Sequence, residues 1–171
     1  MSKLEKATYI CLIAVSLVSL YLLVENRFSR PAPPGQPSES ALVGQREESV
    51  PETLWKDSPK NVVLLLNSHC HFCAESTPLY RQLSAMRQRT PHGISLLVAS
   101  FDSTEKMRDY LVQQNIGVDN VFQASSGFAR VSVTPAIFLV DSHGVIRRAF
   151  FGKLDWIQER QLLSALNSAG F

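Results

Sequence analysis

The sequence predicts an α/β domain in which a mixed central sheet carries helices on both faces, preceded by an apolar N-terminal helix. Between residues 59 and 171, strand-like runs and helical patterns follow one another in the order β-α-β-α-β-β-α, which is typical of a sheet layered with helices. Residues 7–24 carry no charge, and residues 25–58 are rich in proline, serine and glutamate. The chain is therefore divided into an N-terminal flank (1–6), a transmembrane anchor (7–24), a tether (25–58) and one folded domain (59–171).

The anchor is predicted from the uncharged run between Ala7 and Val24. A helix of about 20 apolar residues crosses a bilayer core. Tyr9 and Tyr21 lie near the ends of the run, where aromatic side chains favour the headgroup region. A cleaved signal peptide is the alternative interpretation. Its apolar core is shorter and ends at a small-x-small site, and no such site follows this run, so an uncleaved anchor is favoured.

The tether is predicted because no apolar periodicity runs through residues 25–58, while prolines recur along them. Such a composition forms an extended and partly stiff connection. Leu54 and Trp55 lie near its end. We expect them to dock on the folded domain, because tryptophan is a residue that proteins bury on average.

The first half of the domain contains two apolar runs, each followed by a helical pattern. The run from Asn61 to Asn67 predicts a strand, and the following helix places Leu79, Leu83 and Met86 on one face. Pro78 lies within that pattern, where proline kinks a helix or marks the start of a new one. A second strand is predicted at 94–100, followed by a helix that Ser103 caps and that turns Met107, Tyr110 and Leu111 to one side.

The second half of the domain predicts a short extended piece at 120–122, a turn or short helix at 127–131, and a third strand at 136–140. The turn Asp141 to Gly144 joins this strand to 145–150 as a hairpin. Asp155 begins the last helix, with Gln158 as its capping-box partner. The residues expected on the apolar side of this helix are Trp156, Leu162, Leu163 and Leu166.

Two cysteines, Cys70 and Cys73, stand between the first strand and the helix after it. At this spacing one thiol attacks a disulfide while the other resolves the resulting mixed disulfide. Cys70 is expected at a helix N-terminus, where unpaired N–H groups and the macrodipole favour a negative charge and lower the pKa of a thiol. A C-x-x-C pair in this position is typical of a redox motif.

A zinc site and an inert buried pair are the alternative interpretations of these cysteines. His69 and His71 flank Cys70 and could add ligands. Structural zinc, however, takes four ligands that usually come from two separated pairs, and the remaining cysteine, Cys11, lies within the predicted anchor. Redox chemistry is therefore favoured, and no metal site is predicted. The net charge of +2 is small and mixed in sign, so we expect no nucleic-acid partner.

Residues 59–171 resemble the thioredoxin superfamily, and specifically its membrane-anchored TlpA/ResA-like branch of thiol:disulfide oxidoreductases. The motifs that carry the resemblance occur in the family's order. They are Cys70-His71-Phe72-Cys73 after an apolar strand, Pro78 five residues past Cys73, Val133-Thr134-Pro135 before the third core strand, and the hairpin turn Asp141-Ser142-His143-Gly144.

The resemblance implies a thioredoxin-like fold and a role for each matching residue. Cys70 is implied as the attacking thiol and Cys73 as the resolving thiol, with the redox-active disulfide Cys70–Cys73 in place of any cofactor. The bond between Thr134 and Pro135 is implied to be cis, with the proline beside the sulfurs and Thr134 offering backbone groups to an extended substrate segment, as in β-strand addition. Phe72 offers an apolar surface to that substrate.

The sequence departs from the family where relatives place a proton acceptor. Leu64 stands where thioredoxin has a buried aspartate, and Ser76 stands where the branch often has a glutamate, with Glu75 one residue early. Histidine is the side-chain type whose charge can change unaided near neutral pH, and His69 and His71 flank Cys70. His69, His71 and Glu75 are therefore our candidates for pKa tuning or proton transfer, while exposed loop residues are the alternative interpretation of the two histidines.

Relatives of this branch mostly act as reductants that receive electrons from a membrane partner, often in cytochrome c assembly. We therefore expect a membrane-tethered reductase of protein disulfides, supplied by a membrane electron-donor thiol protein. Because basic residues balance on the two sides of the anchor, the orientation rests on the order of anchor, tether and domain: single-pass in a bacterial inner membrane, with the domain on the periplasmic side. A thiol oxidase and a copper-delivering metallochaperone of thioredoxin fold are the alternatives.

Overall fold

The computed structural model describes residues 12–21, 38–47, 50–55, 58–90, 93–125 and 128–168. The chain divides into two compact units, Met1–Gly35 and Gln36–Phe171. In the first unit, residues 12–21 form a helix with exposed side chains. The rest of the predicted anchor, the flank 1–6 and residues 22–37 lie outside the described residues. Within the described ranges, no helix has both the length and the apolar character needed to cross a bilayer.

The second unit is built on one mixed sheet of five strands in the order β3-β2-β1-β4-β5. The first three strands pair in parallel, while β4 is antiparallel to β1 and to β5. This confirms the predicted mixed sheet and its terminal hairpin. The strand bounds are β1 Lys60–Leu66, β2 Ile94–Ser100, β3 Asn120–Gln123, β4 Ala136–Asp141 and β5 Ile146–Phe151.

Five α-helices and two short 3-10 helices accompany the sheet within the described part of this unit. The α-helices are α1 Glu39–Leu42, α2 His71–Glu75, α3 Thr77–Arg89, α4 Thr104–Gln113 and α5 Trp156–Asn167, and the 3-10 helices are Glu52–Leu54 and Phe128–Arg130. The three long helices, α3, α4 and α5, all pack on one face of the sheet, because their buried side chains share a single core with Val62, Leu64 and Leu66 of β1. The prediction of helices on both faces is therefore wrong for the long helices. Right-handed crossovers from β1 to β2 and from β2 to β3 move in one direction across the sheet, and this places α3 and α4 on the same side.

The opposite face of the sheet is covered by the segment predicted to be a tether. Leu42, Val50 and Trp55 are buried there against Val63 and Leu65 of β1. The docking predicted for Trp55 is confirmed, since only 1% of its side chain is exposed. Residues 38–47 and 50–55, which were predicted as part of the tether, lie in the same compact unit as the predicted domain, because scattered apolar residues without periodicity still fill the second core.

The same segment also protects the edge strand β5. The Gly44 amide donates to the Ile146 carbonyl (2.8 Å), and the Ile146 amide donates to the Gln45 carbonyl (2.9 Å). Unpaired strand edges invite pairing with other chains, so this contact closes one edge of the sheet. The buried carboxylate of Glu47 accepts a hydrogen bond of 2.7 Å from the Ala129 amide, which ties the segment to the loop that precedes β4.

The hairpin turn and the last helix form as predicted, with one exception. Asp141 accepts hydrogen bonds from the His143 and Val145 amides (2.9 and 3.0 Å), and Asp155 forms the predicted capping box with Gln158. Trp156 was expected on the apolar side of α5 but is 59% exposed. As the first residue of that helix it lies at the surface, where the Arg160 guanidinium stacks 5.0 Å from the centre of its ring.

Candidate active site

The cysteine pair lies where the central strand β1 ends and the chain turns into α2. The Cys70 amide donates to the Asn67 carbonyl (3.1 Å), and the His69 amide donates to Asn67 Oδ1 (2.8 Å). The Ser68 amide donates to the Asp102 carboxylate (2.8 Å), which fastens the turn to the loop after β2. These bonds place Cys70 at the N-cap of α2, as predicted.

Cys70 is the more accessible of the two thiols and is half-buried. Its Sγ accepts a hydrogen bond from the Cys73 amide (3.2 Å) and donates to the Thr134 carbonyl (3.4 Å). Burial raises the pKa of Cys70, but hydrogen bonding by the side chains of Cys73 and Thr134 and by backbone amides lowers it by more. The pKa of Cys70 therefore lies below the ordinary value for a thiol, which favours the reactive thiolate.

Cys73 is fully buried in the core beneath the helices. Burial raises the pKa of Cys73 to about 12, and the neighbouring sulfur of Cys70 contributes to the rise. The two thiols therefore ionise in different pH ranges, since the pKa of Cys70 is lowered while that of Cys73 is raised. In the structure both cysteines are free thiols.

The Thr134–Pro135 bond is cis, which confirms the prediction from family resemblance. Pro135 is buried, while Thr134 is partly exposed and has its carbonyl against Cys70. Phe72, two residues after Cys70, exposes 54% of its side chain. An exposed apolar ring and a partly exposed backbone segment thus flank the more accessible thiol, and their predicted role in holding a substrate stays a prediction.

His69, His71 and Glu75 lie at the surface around the cysteine pair rather than beneath it. His71 Nε2 lies 3.2 Å from Glu75, and Glu75 also receives a bond of 3.0 Å from Lys153. His69 Nε2 lies 2.8 Å from Lys106 Nζ. None of the three is among the causes of the pKa shifts of the two thiols, so their part in pKa tuning or proton transfer stays a prediction.

Pro78 marks the start of a new helix rather than a kink within one, which is the second of its two predicted roles. The helical path is interrupted at Ser76, and Pro78 occupies the first turn of α3. Proline is tolerated there because the amide it lacks has no partner within the helix. The arrangement lets α2 and α3 run almost without a break, since the Ser76 and Tyr80 amides still donate to the Phe72 and Ser76 carbonyls (3.1 and 3.2 Å).

Two pairs of residues lie near the cysteines but were not among the predicted site residues. Asp102 and Lys106 form an ion pair of 3.3 Å at the end of β2, and only the fold brings them to the cysteine turn. Thr77 and Tyr80 follow Cys73 by four and seven residues, and both are buried. That helical spacing was a visible signal that these two residues share the face of Cys73.

The described residues offer no group of three or more His, Cys, Asp or Glu side chains arranged to hold a metal ion. His143, the distant histidine considered for copper, lies in the hairpin turn between β4 and β5. The arrangement of the site is a half-buried thiol of lowered pKa beside a fully buried thiol of raised pKa.

No protein-family model matches this chain, and no curated protein matches it in sequence. Solved structures do match. A thiol-disulfide isomerase from Corynebacterium glutamicum is 20% identical over 77% of this chain and 96% of its own, with a TM-score of 0.54. A DsbF homologue from Corynebacterium diphtheriae is 12% identical over 80% of this chain and 97% of its own (TM-score 0.56). A thiol:disulfide interchange protein from Bacteroides sp. is 14% identical over 74% and 87% (TM-score 0.53).

These comparisons establish the fold. The second unit has a thioredoxin-like α/β fold with a mixed five-stranded sheet and helices. Similarity of backbone at such low identity does not by itself assign chemistry, because one fold hosts many functions. The chemistry of this chain depends instead on Cys70, Cys73 and the residues that touch them.

Proposed function

We propose that this chain is a thiol:disulfide oxidoreductase that reduces protein disulfides through Cys70 and Cys73. The observation that carries the proposal is the contrast between the two thiols. One is half-buried with a lowered pKa, and the other is fully buried with its pKa raised to about 12. The names of the solved structures that share the fold, which include a thiol-disulfide isomerase and a thiol:disulfide interchange protein, agree with this chemistry.

In the first step, the Cys70 thiolate attacks one sulfur of a substrate disulfide. The substrate S–S bond breaks, a bond forms between Cys70 Sγ and that sulfur, and the other substrate sulfur leaves as a thiolate that takes up a proton. The Cys73 amide, which donates to Cys70 Sγ, helps to stabilise the thiolate before attack. Thr134 and Phe72 hold the extended substrate segment beside the nucleophile.

In the second step, Cys73 loses its proton and attacks Cys70 Sγ. The Cys70–Cys73 disulfide forms, the mixed disulfide breaks, and the second substrate sulfur leaves with the electron pair and is protonated. Two electrons pass from the dithiol to the substrate, so a thiol partner must reduce the pair again. A membrane electron-donor thiol protein is the partner that we propose for this role.

The proposed setting is a bacterial inner membrane, with residues 7–24 as a single-pass anchor and the domain on the periplasmic side. The uncharged run and its flanking tyrosines support the anchor. Cytochrome c maturation is the pathway that we propose for the substrates, on the basis of the TlpA/ResA-like resemblance. Gly44 and Gln45 cover the edge of β5. We propose that substrates instead meet the end of the sheet that carries the cysteines.

A thiol oxidase is the second candidate, because the lowered pKa of Cys70 stabilises the reduced form of the pair, and a stabilised reduced form makes a stronger oxidant. The reduction potential of the Cys70–Cys73 couple separates the two directions. Equilibration of the full-length protein with glutathione mixtures should give roughly −200 mV or a more negative value for a reductase, and about −120 mV for a strong oxidase. A failure to catalyse insulin disulfide reduction with a small dithiol as electron source would contradict the reductase.

A further inference from the structure

The resolving step needs a group that stabilises the charge of the Cys73 thiolate, and the described residues that form the core around this sulfur include no carboxylate. The strand side chains beneath it, Leu64 and Leu66, are apolar and fully buried. The ionisable group that acts on the Cys73 thiol from its own helix turn is Cys70, with Asn67 and Thr134 as hydrogen-bond partners from the flanking loops. The charged side chains nearby pair with one another at the surface: Asp102 with Lys106, and Glu75 with His71 and Lys153.

Three hydroxyl groups are buried in the same region without a hydrogen bond of good geometry. The oxygens of Thr77, Tyr80 and Tyr110 are inaccessible and make no such bond with a described residue, and the interactions of Tyr80 with Ser76 and of Tyr110 with Thr77 are weak ones that the hydroxyls can exchange. Buried hydroxyls in proteins nearly always have a partner, because an unsatisfied one is costly. Three such groups in one core are therefore a feature that needs an explanation. We call Thr77, Tyr80 and Tyr110 the hydroxyl cluster.

The backbone directs the hydroxyl cluster toward Cys73. Thr77 and Tyr80 follow Cys73 by four and seven residues along the nearly continuous path of α2 and α3, so all three lie on one helix face. Helical side chains lean toward the N-terminus of the helix, which brings the long Tyr80 side chain back over the turn of Cys73. Tyr110 enters from α4 and packs against the same core.

The phenols stay protonated where the enzyme would work. Burial raises the pKa of both tyrosines, and negative charge on Cys73 and on Cys70 raises each further. Tyr80 and Tyr110 therefore interact electrostatically with the buried sulfur, and they remain hydrogen-bond donors when it ionises. A thiolate in an apolar core requires such donors, because an unsolvated buried charge is strongly disfavoured.

We propose that the hydroxyl cluster stabilises the Cys73 thiolate during resolution, which makes Thr77, Tyr80 and Tyr110 positioning residues for the second step of exchange. The inference rests on the proposed function. As the proton leaves Cys73 for solvent or for the departing substrate thiolate, the hydroxyls turn their donors toward Cys73 Sγ. That sulfur then bonds to Cys70 Sγ, and the substrate sulfur leaves with the electron pair of the broken bond.

Rapid mixing of the reduced full-length protein with an aromatic disulfide tests this directly. Attack by Cys70 releases one coloured thiol, and resolution by Cys73 releases a second, so the two steps appear as separate phases. Tyr80→Phe, Tyr110→Phe and Thr77→Val should each slow the second phase, by roughly tenfold for the most effective variant, and shift its pH profile upward. The first phase should be unchanged. Thr77→Ser, which keeps the hydroxyl, should restore the second phase.

Ser84→Ala is the matched control, because Ser84 is a buried hydroxyl of the same helix whose Oγ already accepts from the Gly117 amide (3.1 Å). It should leave both phases unchanged. If the native protein shows two phases and all three hydroxyl-cluster variants keep its second phase and pH profile, this inference is wrong while the proposed function stands. If the variants slow both phases equally, the role is merely structural and the inference is also wrong. If the native protein releases no coloured thiol, the proposed function itself fails.

Discussion

The backbone amide of Cys73 donates a hydrogen bond of 3.2 Å to Sγ of Cys70. The buried cysteine thus supports the accessible one even before any disulfide forms. The same short helix that offers this amide buries the Cys73 sulfur completely, so one turn of backbone lowers the pKa of one thiol while it raises the pKa of the other. This turn supports the proposed roles of Cys70 in attack and of Cys73 in resolution.

Limited alkylation of the reduced protein should label Cys70 before Cys73. The thiolate is the reactive form, and Cys70 combines the lower pKa with the greater exposure. Peptide mapping after brief treatment with iodoacetamide at mildly acidic pH measures the order. Preferential labelling of Cys73 would reverse the roles assigned here.

The reduced protein should lose stability in alkaline solution because of Cys73. Its pKa is raised from 9.0 to about 12 on folding, so its contribution is complete below pH 9 and declines as the pH rises from there toward 12. The free energy of unfolding should fall by about 1.4 kcal/mol for each pH unit in that window. Denaturant titrations measure it. Cys73→Ala is the control, since it retains the other titrating groups, and a slope equal to that of the native protein would refute the assignment.

Trp55→Ala should destabilise the folded unit by about 3 to 5 kcal/mol, the cost of emptying a large aromatic site in a core. Only 1% of Trp55 is exposed, although it lies in the segment predicted to be a tether. Trp156→Ala is the matched control, and it should cost less than about 1 kcal/mol because that ring is 59% exposed. Chemical denaturation that ranks the two variants equally would show that residues 38–55 do not belong to the fold.

Gly144→Ala should be more harmful than Gly152→Ala. Both glycines have positive φ, +77° and +75°, so alanine carries a similar backbone penalty of about 1 to 2 kcal/mol at each. At Gly144 the added Cβ would also lie 2.8 Å from Trp55 Nε1, whereas nothing lies within 4 Å at Gly152. Thermal or denaturant unfolding should show a further loss of at least about 1 kcal/mol for Gly144→Ala, and equal losses would argue against the packing of Trp55 in the hairpin.

Local sequence signals predicted the features that depend on neighbouring residues. The apolar runs located the core strands, the pair Asp155 and Gln158 located the start of α5, and the spacing of Cys70 and Cys73 located the turn after β1. The cis bond before Pro135 was predicted only through family resemblance, since few X–Pro bonds are cis.

Most features that depend on contacts distant in sequence were missed. Residues 38–55 have no helical or strand periodicity, and although the docking of Trp55 was predicted, the burial of Leu42 and Val50 was not, because the core that they fill exists only once the sheet has formed. The hydroxyl cluster combines Tyr80 of α3 with Tyr110 of α4, and only the crossover topology brings these helices to the same side of the sheet. The candidates His69 and His71 were chosen for nearness in sequence, and the helix turn places them at the surface.

Trapping of mixed disulfides tests the central claim most directly. Cys73→Ala should accumulate covalent adducts on Cys70, because attack can proceed but no neighbouring thiol remains to resolve the product. Cys70→Ala should trap few or none, since only the buried sulfur with its pKa of about 12 remains. The full-length variants are expressed in membranes and compared on non-reducing gels with and without reductant. Adducts on Cys73→Ala alone, released by reductant, are the predicted result. Equal trapping by both variants, or by neither, would contradict the attack and resolution roles of Cys70 and Cys73.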